Sequence, residues 1–304
     1  MTPPASSALV DLAPTAPIVT APGRPPSIAY PLASRSGHPQ PTIVRVGNAT
    51  VGNAEIGGNR VIVIAGPCAI ESHEQLADTA RAVRAAGATI IRGGAYKPRT
   101  SPYDFQGLGE KGLELLAAVG REVGLPVVTE VTDTEDVELV ARYSDMLQIG
   151  SRNMSAFRLL QRAAATGKPI LLKRGYAASI REWLLSAEYI LAEGNGQVVL
   201  CERGIRTNDS EYTRNTLDLN AVPLLAHETH LPVIVDPSHG TGRADLVATM
   251  ARGAIAVGAC GLIVEVHRRP AEALCDGKQT LSTAEFAAMM AEIRPIASLL
   301  GRAL

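Results

Sequence analysis

The sequence predicts an α/β chain of the (β/α)8 TIM barrel class, with an N-terminal β-hairpin and a disordered Pro/Ala-rich tail in front of it. Three observations lead there. Eight short apolar runs rich in Val, Ile and Leu are each followed by a stretch with helical periodicity, the alternation that builds a parallel sheet from βα units. Cations, carboxylates, a thiol and an imidazole gather just after those runs, where a barrel keeps its chemistry. A doubly wound open sheet would show the same alternation, but Gly93-Gly94 lacks the G-x-G-x-x-G spacing and there is no P-loop.

Residues 1–41 hold half of the chain's 20 prolines and only three charged side chains, Asp11, Arg24 and Arg35. Such a segment buries too little apolar surface to offset the entropy of ordering it and is expected to be disordered. Residues 42–60 alternate apolar and polar positions around Gly-Asn and Gly-Gly, the pattern of a hairpin capping the body that follows. The barrel is expected over 61–304. Its strands are read at 61–65, 89–92, 127–131, 146–149, 170–173, 198–201, 233–236 and 262–266. Its helices are read at 73–86, 109–123, 134–142, 155–166, 179–193, 216–229, 243–256 and 283–299.

The 304 residues carry 29 basic and 30 acidic side chains, a net charge of −1. That balance argues against a nucleic-acid or membrane-surface protein, whose footprint is a broad excess of Lys and Arg. No apolar run approaches the roughly 20 residues of a membrane span, and the N-terminus lacks a secretory pattern, so a cytoplasmic location is expected. Cys68, Cys201, Cys260 and Cys275 lie far apart without a C-x-x-C pair, which fits reduced thiols better than a disulfide framework.

The loop after the second predicted strand is an anion cradle. Arg92, Lys97, Arg99, Thr100 and Ser101 stand close together, with Gly93 and Gly94 admitting a close backbone approach and Pro98 stiffening the turn. Further cations follow other runs: Arg152, Lys173 with Arg174, Arg203 and Arg206. Singly, each is explained by a salt bridge or a solvated loop. Together they would crowd one mouth with positive charge, and acidic partners at the matching strand ends look too few to neutralise them. At least two phosphates or carboxylates are therefore expected as ligands.

A second set suggests a metal. Cys68 in Gly-Pro-Cys, His239 in Asp-Pro-Ser-His, Glu265 in Val-Glu-Val-His, and Asp276 beyond the last strand offer a thiolate, an imidazole and two carboxylates. That mixture suits one divalent ion of the manganese, iron, cobalt or zinc type better than magnesium. Taken alone, Cys68 reads as a small buried hydrophobe, His239 as a hydrogen-bonded loop residue, and Glu265 as an ion-pair partner for Arg243 or Arg268.

Several runs together resemble a known family. They are Ile64-Ala-Gly-Pro-Cys-Ala-Ile-Glu-Ser72, Lys97-Pro-Arg-Thr-Ser-Pro-Tyr-Asp-Phe-Gln-Gly107, Leu147-Gln-Ile-Gly-Ser-Arg-Asn153, Leu171-Leu-Lys-Arg-Gly175, Leu200-Cys-Glu-Arg-Gly-Ile-Arg-Thr207, Asp236-Pro-Ser-His239 and Val264-Glu-Val-His267. Over roughly 43–298 the chain resembles the 3-deoxy-D-arabino-heptulosonate 7-phosphate (DAHP) synthases, of the short subtype related to the octulosonate phosphate synthases. The resemblance implies a metal-dependent enzyme of the shikimate pathway, which condenses phosphoenolpyruvate with erythrose 4-phosphate and water and releases phosphate. It assigns Cys68, His239, Glu265 and Asp276 to the metal. Arg152, Lys173 and Arg203 are assigned to the phosphate of phosphoenolpyruvate, and Arg92 and Lys97 to its carboxylate and reacting carbons. Arg99, Thr100 and Ser101 are assigned to erythrose 4-phosphate. Lys97 is the expected proton donor, with Cys68 and His239 serving catalysis through the metal.

Cys275 is expected to form a disulfide with Cys68 in the metal-free enzyme. A homodimer or homotetramer is implied, with the hairpin as a contact surface. Residues 1–41 fit neither the ferredoxin-like domain nor the chorismate mutase that members of this subtype often carry, so feedback control through such a domain is not expected. The alternatives are a 3-deoxy-D-manno-octulosonate 8-phosphate synthase, whose loop usually reads Lys-Ala-Asn-Arg rather than Lys-Pro-Arg-Thr, and a non-catalytic phosphoenolpyruvate-binding barrel.

Overall fold

Two antiparallel strands, β1 (Val44–Asn48) and β2 (Gly52–Ile56), form the hairpin, pairing Val44 with Ile56 and Val46 with Ala54. These four side chains share one face by the period of two and are buried. The computed structural model describes residues 29–304 apart from 100, 209 and 210. Eight parallel strands follow: β3 (Ile62–Gly66), β4 (Ile90–Arg92), β5 (Val127–Val131), β6 (Met146–Ile149), β7 (Ile170–Lys173), β8 (Val198–Glu202), β9 (Val233–Val235) and β10 (Gly261–His267). Each pairs with the next in chain order, and β10 pairs with both β9 and β3, which closes the barrel. A short β11 (Leu281–Ser282) extends β10 at Val266 and His267.

The helices are α1 (His73–Ala86), α2 (Glu110–Val123), α3 (Val137–Tyr143), α4 (Phe157–Ala165), α5 (Ile180–Ala192), α6 (Ala221–Glu228), α7 (Pro237–Thr241), α8 (Ala244–Ala256) and α9 (Thr283–Leu299). Local chemistry fixes several ends. Ser72 caps α1 through the amide of Gln75, and Ser179–Glu182 and Ser282–Glu285 close capping boxes on α5 and α9. The helix expected at 216–229 starts later, at Ala221, because Thr216 bridges back to Ile205. The helix expected from 134 starts at Val137, since the Asp133 carboxylate holds the amide of Glu135 in a turn. The single turn α7 was not expected; the Asp236 carboxylate caps it at the amide of His239.

Two apolar layers result. One packs the outward strand residues against the helices, with Trp183 and Phe286 among its largest fully buried members. The other fills the barrel with Ile62, Ile64, Ile90, Val128, Met146, Leu171, Val199, Ile234 and Ile263, and the hairpin's Val44, Val46, Ala54 and Ile56 join it. The hairpin therefore plugs the amino-terminal end of the barrel.

One expectation is corrected. Residues 1–28 of the segment expected to be disordered lie outside the described residues, but 29–41 form a strap tied to the barrel. The amides of Leu32 and Ala33 both donate to the Glu188 carboxylate at 2.8 Å. Ser34 bridges Thr229, the Thr229 hydroxyl donates to the Ala33 carbonyl, and His230 Nε2 donates to the Leu32 carbonyl at 2.8 Å. Composition misled here because the order comes from partners 155 to 198 residues away. Among the described residues no helix is long and apolar enough to cross a membrane.

Candidate active site

The pleat decides which residues face the mouth. Side chains on one face of a strand recur every second position, so the barrel-filling residues are followed two positions on by inward-facing polar ones. Ile90 leads to Arg92, Val128 to Glu130, Met146 to Gln148, Leu171 to Lys173, Ile234 to Asp236 and Ile263 to Glu265. Cys201, beyond Val199, leads likewise to Arg203. All but Asp236 and Glu265 line a cavity of about 220 Å³ at the carboxyl end of the barrel, together with Lys97, Arg99, Arg152, His239 and Asp276. Asp236 and Glu265 lie beneath it, bonded to residues that do line it.

The same rule excludes Arg174, one position out of phase. Its guanidinium bonds Glu202 at 3.0 Å and Asp218 at 2.8 Å and lies over the Trp183 ring in the helix layer. Arg206 is exposed beside the Tyr176 ring, whose centroid lies 4.8 Å from its guanidinium carbon. Ser101 is not among the cavity residues; its hydroxyl accepts from the amide of Tyr103 in a turn. Thr100 lies outside the described residues.

The cations are better paired than the sequence suggested. Arg92 Nη1 donates to Glu265 Oε1 at 2.6 Å, and Lys173 Nζ donates to Asp236 Oδ2 at 2.6 Å. Glu265 is therefore the partner of Arg92, not of Arg243 or Arg268. Arg99 is shared between Asp104, at 3.2 and 3.3 Å, and Cys275 Sγ, at 2.6 Å. Arg152 Nη1 donates to the Pro98 carbonyl.

Arg203 differs from these. It is buried, makes one long contact of 3.4 Å to the Gly204 carbonyl, packs on Tyr176, and forms no ion pair among the described residues. Burial accordingly pulls its pKa down. A buried guanidinium without a counterion is a site for an anion. Arg92 Nε and Ser151 Oγ, both on cavity-lining residues, are also buried without a hydrogen-bond partner among the described residues.

The candidate metal donors fall into two groups that share Asp276, one of Cys68, Cys275 and Asp276 and one of His239, Glu265 and Asp276, with the donor atoms of each group within 4.8 Å of one another. Cys68 Sγ lies 3.5 Å from Asp276 Oδ2, His239 Nε2 lies 4.0 Å from the same oxygen, and His239 Nε2 lies 3.4 Å from Glu265 Oε1. Atoms bound at about 2.0–2.3 Å around a tetrahedral ion stand about 3.3–3.8 Å from one another; the Cys68–Asp276 and His239–Glu265 distances fall in that range, and the His239–Asp276 distance lies just beyond it.

Hydrogen bonding supports the fit. Asp236 Oδ2 lies 2.8 Å from His239 Nδ1, and a carboxylate only accepts, which assigns the proton to Nδ1 and leaves a lone pair on Nε2. That lone pair faces two carboxylates, an arrangement a cation would satisfy. Burial lowers the His239 pKa despite Asp236 and Glu265, keeping the ring neutral as a ligand must be. The Arg92 guanidinium bonded to it, with Lys97 adding to the effect, holds Glu265 ionised against its burial, its pKa falling far below the usual carboxylate range.

Lys97 Nζ donates to Cys68 Sγ and to the Cys68 carbonyl, each at 3.0 Å. Cys68 and Cys275 are free thiols with sulfurs 3.2 Å apart. The bond to Cys275, followed by burial, pushes the Cys68 pKa up, while that bond pulls Cys275 down to about 7, helped by Lys97 and Arg99.

Sequence reasoning missed Arg214, Tyr176, Gln148, Asp104 and Ser151 as cavity residues. Counting by twos from Met146 would have found Gln148. Arg214 lies on the loop between β8 and α6, where no periodic signal places it.

Two backbone approaches hold the mouth. A Cβ on Gly107 (φ +94°) would lie 2.0 Å from the Ala95 carbonyl oxygen, and one on Gly150 would lie 2.0 Å from Glu130 Oε1. Only glycine lets the loop ending in Gly107 fold back on itself.

Fold and site together define a (β/α)8 barrel protein whose mouth gathers Arg and Lys side chains beside Cys, His, Asp and Glu groups that could hold a divalent ion. The family model described as the DAHP synthetase I family matches residues 43–298. The chain belongs to that family. It is 51% identical over 272 residues to the phospho-2-dehydro-3-deoxyheptonate aldolase of Thermotoga maritima, covering 90% of this chain and 79% of that one. A 2-dehydro-3-deoxyphosphooctonate aldolase of Acidithiobacillus ferrooxidans is 35% identical, covering 71% of this chain and 82% of its own. Among solved structures, the phospho-2-dehydro-3-deoxyheptonate aldolase (DAHP synthase) of Thermotoga maritima superposes with a TM-score of 0.86 at 50% identity, covering 90% of this chain and 78% of that one. A truncated form of the 3-deoxy-D-arabino-heptulosonate 7-phosphate synthase from that organism gives 0.83 at 48%, covering 90% and 99%.

Proposed function

We propose that the protein condenses phosphoenolpyruvate with erythrose 4-phosphate and water to give 3-deoxy-D-arabino-heptulosonate 7-phosphate and inorganic phosphate, within the shikimate pathway. The observation that carries the reading is the pairing, in one mouth, of Arg203, which has no ion pair among the described residues, with the neighbouring donors Cys68, His239, Glu265 and Asp276.

Arg152, Lys173 and Arg203 take the enol phosphate, and Arg92, whose Nε is free to donate, takes the carboxylate with Lys97. Arg99, with Thr100 and Ser101 of its loop, takes the aldose phosphate, displacing Asp104 from a half-exposed pair of the kind worth about 0–1 kcal/mol. Holding two repelling anions in reacting geometry is a positioning effect worth on the order of 7 kcal/mol or more. C3 of the enol phosphate then bonds to the aldehyde carbon, water adds to C2, and cleavage of the C2–O bond expels phosphate. Lys97 stays protonated because nearby negative charge, that of Cys275 and Glu265, outweighs its burial, so it donates a proton to the new alkoxide oxygen or the departing phosphate. Cys68, His239, Glu265 and Asp276 would hold one divalent ion, of the manganese, iron, cobalt or zinc type. Bound there, such an ion supplies Lewis acidity toward the aldehyde oxygen.

The test is phosphate release from phosphoenolpyruvate with erythrose 4-phosphate and with arabinose 5-phosphate in turn, each with and without a chelator. Release with erythrose 4-phosphate, abolished by chelation, is expected. Preference for arabinose 5-phosphate would make the protein an octulosonate phosphate synthase, and no release with either would leave a binding protein only.

A further inference from the structure

Gln279, on the single 3-10 turn Gly277–Gln279, lies outside every motif discussed above, yet its amide is fully committed beneath the donor set. Its Nε2 donates to Glu265 Oε2 at 2.5 Å, and its Oε1 accepts from Arg214 Nη1 at 2.9 Å. The orientation of the amide is dictated by its neighbours. A carboxylate can only accept and a guanidinium can only donate, so the nitrogen must face Glu265 and the oxygen must face Arg214. Arg214 Nη1 also reaches Asp276 Oδ1 at 3.3 Å.

Each carboxylate of the set therefore has one oxygen tied by the Gln279–Arg214 pair and the other turned toward the centre. Glu265 turns Oε1 to His239 and to Arg92, whose Nη1 donates to it at 2.6 Å, and Asp276 turns Oδ2 to His239 and Cys68. The clamp also braces the backbone. Asp276 is the one non-glycine residue with positive φ (+52°) among the described residues, and its carbonyl accepts from the Gln279 amide at 3.2 Å and the Thr280 hydroxyl at 2.9 Å. Gln279 is 2% exposed, which shields its amide from bulk solvent.

We propose that Gln279, backed by Arg214, is a positioning residue that presents Glu265 and Asp276 to a divalent cation and sets how tightly the cation is held. The inference rests on the reading of Cys68, His239, Glu265 and Asp276 as metal donors. Groups that orient metal ligands from behind typically change affinity about 10- to 100-fold when removed.

The experiment is titration of chelator-stripped protein with Mn2+ against a chromophoric competitor, for the wild type and for Gln279→Met, a swap that keeps volume and removes both polar contacts. The wild type is expected to bind one equivalent and the variant about 10- to 100-fold more weakly. The metal-free melting temperature should be little changed, and kcat should recover when Mn2+ is raised to saturation. A variant dissociation constant within threefold of the wild type overturns the inference. So does an unchanged constant accompanied by a lowered metal-free melting temperature, which would make Gln279 a structural residue only. If Gln279→Met does not fold, Gln279→Asn, which withdraws the amide by one methylene, is titrated against the same limits. A wild-type protein that takes up no Mn2+ removes the donor-set reading, and this inference with it, whereas a normal wild type and an unaffected variant remove the inference alone.

Discussion

Neighbouring cations on one strand end can have opposite fates. Lys173 and Arg174 are adjacent, but the pleat sends the first into the mouth against Asp236 and the second outward to Glu202 and Asp218. Lys173→Ala should therefore raise the KM for phosphoenolpyruvate about 10- to 100-fold, the scale of a lost hydrogen bond to a charged group, with a much smaller change for the aldose. Steady-state kinetics with each substrate varied decides this, and equal effects on both would contradict the assignment. The candidate donors and most of the cations that line the mouth were legible because they follow apolar runs or sit in recognisable motifs. Arg214 and Gln279 were not, since their partners lie 62–65 and 14 residues away, on loops whose paths no local pattern encodes.

Among the elements, the strap over 29–41 shows how far composition can mislead. Its anchor is His230, whose Nε2 donates to the Leu32 carbonyl while Nδ1 lies 2.7 Å from the Thr42 hydroxyl. Burial lowers the pKa of this ring, with His38 and Arg35 adding to the effect and the Leu32 carbonyl and Glu188 opposing it. The folded chain thus binds the His230 proton less readily than the unfolded chain, whose ring titrates near 6.5. The stability supplied by the neutral ring is complete above that pH and declines as pH falls below it. Hydrogen exchange of the amides at 30–38, corrected for intrinsic rate, should show protection falling between pH 7.5 and pH 5.5 in the wild type but not in His230→Gln. An equal fall in both would exclude His230 as the anchor. The hairpin was read correctly as a cap, and its alternating apolar face is taken up by the barrel, leaving Arg45 and Glu55 paired outside.

For the molecule as a whole, the site draws on both sides of the seam where the barrel closes. Cys68 follows β3 and Glu265 lies on β10, the two strands whose pairing joins the sheet to itself. An ion bound there would tie that seam and stabilise the folded state by mass action, by about 2.7 kcal/mol when free metal is 100-fold above its dissociation constant. Scanning calorimetry should show the melting temperature rising with Mn2+ in the wild type, and both this rise and metal-dependent turnover should vanish in Cys68→Ala. A Cys68→Ala protein that keeps both would remove Cys68 from the donor set.

By itself, the sequence determined the alternation of eight strands and helices and the residue types available at each strand end, because those follow from local periodicity. Only the tertiary structure decided which cations are already neutralised and which, like Arg203, have no ion pair among the described residues. It also decided that the strap is ordered and that Gln279 and Arg214 stand behind the donors. Such pairings depend on barrel closure and loop paths, which join residues far apart in the chain and leave no periodic trace along it.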